Sequence, residues 1–393
     1  MNFDAMLADV YRMIKDKDFR DGVKRTVTNS TTAVDDVLEE FPELRDAAKE
    51  VQDTKEKVIA NLQEYIDKTI RSLEKVRAHA YLAKTPEDTQ RIVGDIVGAN
   101  SATVVCSKSM VAEELQVEQY LKGLGHEVYG TDLGQFLVEL TGDKPMHGVV
   151  PAMHLTREKA AALLTEKVGL QLERRTPEEM VKKVRGFLRD KFTTAGVGIS
   201  GCNSIAADTG IMFLIENEGN IRLTTSLPPV HIAILGVEKI MPTIMDAFKA
   251  ALVQASYAGL YPPTYLSAIA GPSSTADIEY VRVYGAHGPR ELHVIFVDNG
   301  RFDARHHDIL KHQLRCVRCG RCQMECPVWG VTANVWGGPT YGGPMGVNWT
   351  AITNGEAYAA PSAFFCLGCG KCDLVCPVEI PLSEMMHYFK TLV

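Results

Sequence analysis

"CVRCGRCQMECP" occupies residues 316–327, and "CLGCGKCDLVCP" occupies residues 366–377. Each run has the form C-x2-C-x2-C-x3-C-P, and together they hold eight of the ten cysteines. Clusters of cysteine at short fixed spacings mark metal ligands, not a disulfide framework. Three cysteines at steps of three reach three irons of one cubane. The fourth lies too far round and ligates the neighbouring cluster. The spacing therefore predicts two [4Fe–4S] clusters with crossed ligands. Cys316, Cys319, Cys322 and Cys376 would hold the first, and Cys366, Cys369, Cys372 and Cys326 the second. Structural zinc fits less well, because it takes four ligands in two separated pairs. Gly320 and Gly370 are expected to relieve crowding where the backbone wraps a cluster. The 39 residues between Cys326 and Cys366 point to a helical two-cluster module, not a compact ferredoxin. Arg315, Arg318, Arg321 and Lys371 lie beside these cysteines. They would stabilise reduced clusters, meet an acidic partner, or form a solvated fringe.

The whole chain has 393 residues, 46% hydrophobic and 23% charged, which suggests two or three domains with a sizeable core. A net charge of -7 speaks against a nucleic-acid binder. No apolar run approaches the roughly 20 residues of a transmembrane segment. The N-terminus lacks the apolar core of a secretory signal. A cytoplasmic protein is expected, with any membrane association supplied by partners.

Residues 1–95 read as helical, with Ile59, Leu62, Ile66, Ile70 and Leu73 on one face. Residues 96–300 carry strand-like runs at 102–106, 210–215, 231–237 and 291–297, and a helical stretch at 111–125. Strands alternating with helices argue an α/β domain with a largely parallel sheet. Residues 301–393 form the cysteine module. The expected fold class is α/β, with helices before the sheet domain and a cluster module after it.

Several middle stretches look like site loops. In "CSKSMVAEE" (106–114), Ser109 caps a helix and Lys108 stands beside its start. That arrangement is an anion site or an ordinary cap with a surface lysine. The stretch 217–243 presents Glu218, Arg222 and His231. Glu218 and Arg222 either pair with each other or face a ligand, and His231 opens a strand. If a carboxylate binds, Lys108 and Arg222 are the candidates for the anion, and His231 and Glu218 for a proton. Cys106 reads as a small buried hydrophobe, and Cys202 as a weak candidate for a reactive thiol. No G-x-G-x-x-G opens a βαβ unit, so the chain is not expected to be NAD-dependent by itself. An organic two-electron acceptor such as flavin would lie in a partner subunit or in a site that the sequence does not mark.

"TDLGQFLVEL" (131–140), "PAMHLTRE" (151–158), "LPPVHIAILGVEKIMPT" (227–243), "GPSSTADIE" (271–279) and "HGPRELHVIFVDNGR" (287–301) resemble the LUD domain of lactate-utilisation proteins. With the two cysteine runs, the chain resembles the iron–sulfur subunit of the three-component L-lactate oxidation system. That resemblance implies a ribose-phosphate isomerase/CoA-transferase-like fold for the LUD domain. It also implies a partner with cysteine-rich CCG domains of the heterodisulfide-reductase type, and a second LUD or flavoprotein subunit. The assembly would oxidise L-lactate and pass electrons toward ferredoxin or a quinone pathway. The chain stops at Val393, where the family is expected to continue, which reads as a short form. Two other readings stay open. One is an electron-wiring adaptor of a different dehydrogenase or bifurcating complex, with the LUD domain a non-catalytic docking scaffold. The other is a transferase, by analogy of fold alone.

Overall fold

A computed structural model describes residues 3–393. Twelve short strands are present: β1 His79–Ala83, β2 Thr103–Cys106, β3 Glu127–Gly130, β4 Val197–Ser200, β5 Ser204–Ala206, β6 Met212–Glu216, β7 Val230–Gly236, β8 Ile240–Met241, β9 Tyr265–Ile269, β10 Ser274–Thr275, β11 Val283–Tyr284 and β12 Glu291–Val297. Six of them form one sheet in the order β1-β12-β7-β4-β2-β3. Every pairing in it is parallel. A parallel sheet covered on both faces needs apolar side chains pointing both ways. "HIAILG" and "LHVIFV" meet that demand, since all but the first residue of β7 and of β12 are buried. A second sheet, β8-β5-β6-β9, is mostly antiparallel and packs beside the first.

The α/β class and the strands near 102–106, 231–237 and 291–297 are as expected. Three local expectations need correction. The stretch 1–95 is not helical throughout, because His79–Ala83 joins the large sheet against β12. The run 210–215 builds β6 of the second sheet, not a parallel strand. The helix expected over 111–125 is broken into Met110–Glu114 and Val117–Gly123 by Gln116, whose φ is 52°. Ile59, Leu62, Ile66 and Leu73 are buried as their spacing implies, although Asn61 divides the helix that carries them. Among the described residues, no helix is long and apolar enough to cross a membrane.

The N-terminal helices and the cysteine module share one core. Met6, Phe19, Val23 and Val34 pack in the same cluster as Trp329, Trp336 and Trp349. All three tryptophans are fully buried. The Gly/Pro loop between the cysteine runs lies inside this core. Gly342 is needed there, because a Cβ would stand 1.8 Å from Asn334 Oδ1.

A buried ionic network joins the sheet domain to the cysteine module. Arg301 follows β12 and is 0% exposed. Its guanidinium donates to both oxygens of Glu114, each at 2.9 Å, and to Glu238 Oε2 at 2.7 Å. Arg318, between the first two cysteines, donates to Glu238 Oε1 at 2.6 Å. Tyr341 donates to Glu114 at 2.7 Å, and Trp349 lies beneath both guanidinium groups. Burial by itself would raise the Glu238 carboxyl. Arg301 and Arg318 outweigh it and hold the group at about 2. Removing one partner from such a pair leaves an uncompensated buried charge, which costs about 3–5 kcal/mol. Arg301→Leu is therefore expected to destabilise the cluster-loaded protein by that amount, seen as a large fall in the urea midpoint. An unchanged midpoint would mean that the network is not needed for stability.

Candidate functional site

The eight thiols fall into two groups of four. Cys376 lies within electrostatic reach of Cys316, Cys319 and Cys322. Cys326, Cys366, Cys369 and Cys372 together line one small pocket. Among the described residues, no three His, Cys, Asp or Glu side chains converge on a single-ion site. The thiols stand around two open cradles instead. Backbone N–H groups point at the sulfurs: Arg318 to Cys316 at 3.3 Å, Gly368 to Cys366 at 3.4 Å, and Ile380 to Cys376 at 3.3 Å. Such donors favour thiolate and tune a bound cluster. Burial pushes the thiols of Cys326 and Cys376 up to about 11. Bound iron would supply the positive charge that reverses this, since a coordinating thiol is deprotonated outright. The donor set thus fits [4Fe–4S] groups.

The two cradles differ in access. Cys316, Cys319 and Cys322 are buried and Cys376 is half-buried. In the other cradle Cys369 is exposed, and Leu367 and Leu374 beside it are 72% and 86% exposed. The arginines of the first run are not a solvated fringe. Their side chains are each covered, with Arg315 bound to Glu56, Arg318 to Glu238 and Arg321 to Asp35. Lys371 is exposed. A Cβ at Gly320 would meet His147 Nε2 at 2.6 Å, so the room it leaves is taken by His147. Gly370 has open space and is required only by its φ of 70°.

A cavity of about 370 Å3 lies between the first cradle's loop and the sheet domain. It opens off the carboxyl ends of β2, β3, β4 and β7, through Lys108, Asp132, Cys202 and Lys239. Ligands of open parallel sheets bind at that end, where neighbouring strands lead in opposite directions. Here β2 leads outward to β3, and β4 leads to β7 on the other flank.

The four sequence candidates do not meet at one place. Lys108 and Glu218 line the cavity. Lys108 donates to Val149 O at 3.0 Å, and burial lowers its pKa. Partial desolvation and Asp132 raise the Glu218 carboxyl. Arg222 and His231 lie outside the cavity lining. Arg222 is exposed and stacks over Tyr265 at 4.6 Å, and its backbone N–H binds Glu216; among the described residues no ion pair joins it to Glu218. His231 is buried, and its Nε2 is 2.7 Å from Ser200 Oγ, so it is tied into the sheet. Ser109 caps its helix through Ala112 N, as expected. Cys106 is buried. Cys202 lines the cavity, but burial pushes its thiol to about 12. The sequence reading missed Lys239 and His147 as cavity residues. Burial, aided by Arg318, lowers Lys239 to about 7. Burial, aided by Lys108, lowers His147 to about 3. Neither has a local signature, because each reaches the cavity only through the fold.

The LUD domain family matches residues 66–297, and the 4Fe-4S dicluster domain matches residues 312–380. This chain belongs to the LUD domain family. It is 34% identical over 353 residues to the "Uncharacterized electron transport protein YkgF" of Escherichia coli (strain K12), covering 89% of this chain and 72% of that protein. It is 33% identical to "Lactate utilization protein B" of Bacillus licheniformis, covering 89% of this chain and 71% of that one. The Bacillus subtilis protein of the same name is 31% identical, with 89% and 71% covered. A crystal structure of a DUF162 family protein from Deinococcus radiodurans covers 61% of this chain and 98% of its own, at 16% identity and a TM-score of 0.32.

In this LUD chain the buried His231 generates a pH dependence. An unfolded histidine titrates near 6.5. Burial lowers His231 to about 3 in the fold. Between those values the unfolded chain binds a proton that the folded chain refuses, so stability is full above about pH 6.5 and falls on acidification. His231→Gln is expected to flatten the loss of unfolding free energy between pH 6.5 and 5 by up to about 1.4 kcal/mol per pH unit. Parallel wild-type and variant curves would assign the acid sensitivity to other groups.

Proposed function

We propose that this chain is the iron–sulfur electron-transfer subunit of an oxidoreductase complex that converts L-lactate, or a related 2-hydroxy acid, to the 2-oxo acid. The observation that carries the reading is the order of sites through the molecule. The cavity adjoins the buried cradle of Cys316, Cys319, Cys322 and Cys376, and the cradle of Cys326, Cys366, Cys369 and Cys372 reaches the surface at Cys369. Two [4Fe–4S] groups held there would supply one-electron steps. The names of the Bacillus relatives support lactate as the substrate, and that of the Escherichia coli relative supports electron transport.

The chain's own residues do three things in this reading. The sheet domain orients the cavity over the first cradle through the Arg301–Glu238–Arg318 network. Lys108 and Glu218 take the anion-binding and proton-accepting roles at the cavity, and Arg222 and His231 keep structural ones. The exposed Leu367 and Leu374 flank the surface cradle and suit a redox partner. A CCG-domain subunit of the heterodisulfide-reductase type, with a second LUD or flavoprotein subunit, is the expected partner set, and a flavin would sit there. Functionally the chain divides into helices over 1–95, the LUD domain over 96–300 and the cluster module over 301–393, although β1 and the N-terminal helices pack across those lines.

Anaerobic co-purification tests the reading. Recovery of the CCG-domain and second LUD or flavoprotein subunits, with L-lactate bleaching the cluster absorption, is expected. Recovery of an unrelated dehydrogenase, with no response to lactate, would establish the adaptor reading instead. The crossed ligands carry their own prediction. Cys376→Ser is expected to perturb the cluster of the first run, and Cys326→Ser that of the second, in the EPR of the reduced protein. Perturbation of the same-run cluster in each variant would overturn the crossing.

A further inference from the structure

The hairpin of β10 and β11 carries the densest exposed apolar stretch among the described residues. Ile278, Tyr280, Val281 and Val283 fall within six residues, and each is between 51% and 94% exposed. The tip is a tight turn closed by Val281 N–H donating to Ile278 O at 3.0 Å. Glu279 and Tyr280 hold its two central positions, with φ of 52° and 58°. Such a turn normally takes Asn-Gly or Gly-Gly, because side chains resist that backbone. The hairpin is pinned all the same. Gly285 N–H donates to Ser273 O and Ser273 N–H to Pro289 O, both at 2.8 Å, and Gly288 N–H donates to Ser273 Oγ at 3.2 Å. A fixed, strained turn that holds a tyrosine out in solvent points to a contact surface.

The surrounding charges narrow the occupant. Glu279 stands at the tip, and Arg282 and Arg77 lie toward the base, where Arg77 stacks over Tyr284 at 5.2 Å. Among the described residues, none of these three charges has an ion-pair partner. Asp277 adds a second negative charge near the tip, where Thr275 Oγ1 donates to it at 3.1 Å. An apolar tip flanked by carboxylates suits a bilayer poorly, since lipid surfaces favour cationic flanks. A segment with its own acidic end and its own basic end is self-complementary, which a two-fold interface demands. The neighbouring strand β9 agrees. It ends its sheet and leads directly into the hairpin, and among the described residues no backbone hydrogen bond reaches its outer edge. Its sequence, YLSAI, has neither the charge nor the proline that blunts an exposed edge. The four apolar residues offer on the order of 500 Å2, large for a monomer, while a stable interface takes about 800 Å2 from each partner. The edge of β9, Arg77 and Tyr284 supply the remainder.

We infer that two copies of this chain associate about a two-fold axis through the β10–β11 hairpin and the β9 edge. Tyr280 of each copy packs on the hairpin of the other, and Glu279 faces Arg77 and Arg282 of the other. The contact requires neither substrate nor redox partner. Sedimentation velocity of the anaerobic, cluster-loaded chain over a wide concentration range tests it. A monomer–dimer equilibrium is expected. Tyr280→Asp is expected to weaken it at least about thirtyfold, as for loss of a central anchor, with iron content and cluster absorption retained. Glu279→Arg is expected to weaken it as well, and Glu279→Arg with Arg77→Glu in one chain to restore it. A monomer at every concentration, a dimer indifferent to Tyr280→Asp, or a double variant no tighter than Glu279→Arg would overturn the inference. Flotation of the chain with phosphatidylglycerol–phosphatidylethanolamine vesicles, abolished by Tyr280→Asp, would assign the hairpin to a bilayer instead. Hydrogen exchange needs no variant. Protection of residues 265–269 and 276–284 should rise with the concentration of the wild-type chain, and protection that stays constant would sink the assignment.

Discussion

The arrangement depends on Arg301. Its guanidinium is wholly buried between Glu114, on the helix after β2, and Glu238, just after β7. A buried carboxylate or guanidinium loses several kcal/mol of hydration unless partners replace it. Here every charge has at least one close partner of opposite sign, and aromatic faces of Trp349 and Tyr341 close the remaining sides. Glu238 passes the constraint to Arg318, which sits between Cys316 and Cys319 with a φ of 63°. A left-handed arginine is held there by its ion pair and by its N–H to Cys316 Sγ. The sheet domain thereby orients the first cysteine loop directly.

That coupling gives the cluster module its asymmetry. The first run is enclosed by the N-terminal helices, the tryptophan core and the sheet domain, and its three arginines are spent on Glu56, Glu238 and Asp35. The second run has no such cover, and its cationic residue, Lys371, stays in solvent. Two runs of nearly identical pattern thus acquire different environments. One faces the cavity beside the sheet domain, and the other faces outward among exposed leucines.

The cavity is assembled in the same way as the network. Its walls come from loops after four parallel strands and from the cysteine module, and no two of Lys108, His147, Lys239 and Arg318 lie within thirty residues of each other. Lys108 was legible because a capped helix start follows a strand in plain view. His231 looked similar, but its strand carries it into the sheet, where Ser200 occupies its Nε2. Arg222 lies outside the cavity lining because its short helix turns it onto Tyr265.

The sequence by itself determined the 4Fe-4S module with its two cysteine runs, the α/β class and the main strands. Cubane ligation and a doubly covered parallel sheet both impose short-range patterns, so "CVRCGRCQMECP" and "HIAILG" can be read without neighbours. Only the tertiary structure decided that β1 joins the sheet, that three arginines are covered ties, and that Lys239 and His147 face a common cavity. Those outcomes depend on which distant groups desolvate one another, and desolvation has no local spacing for a sequence to display.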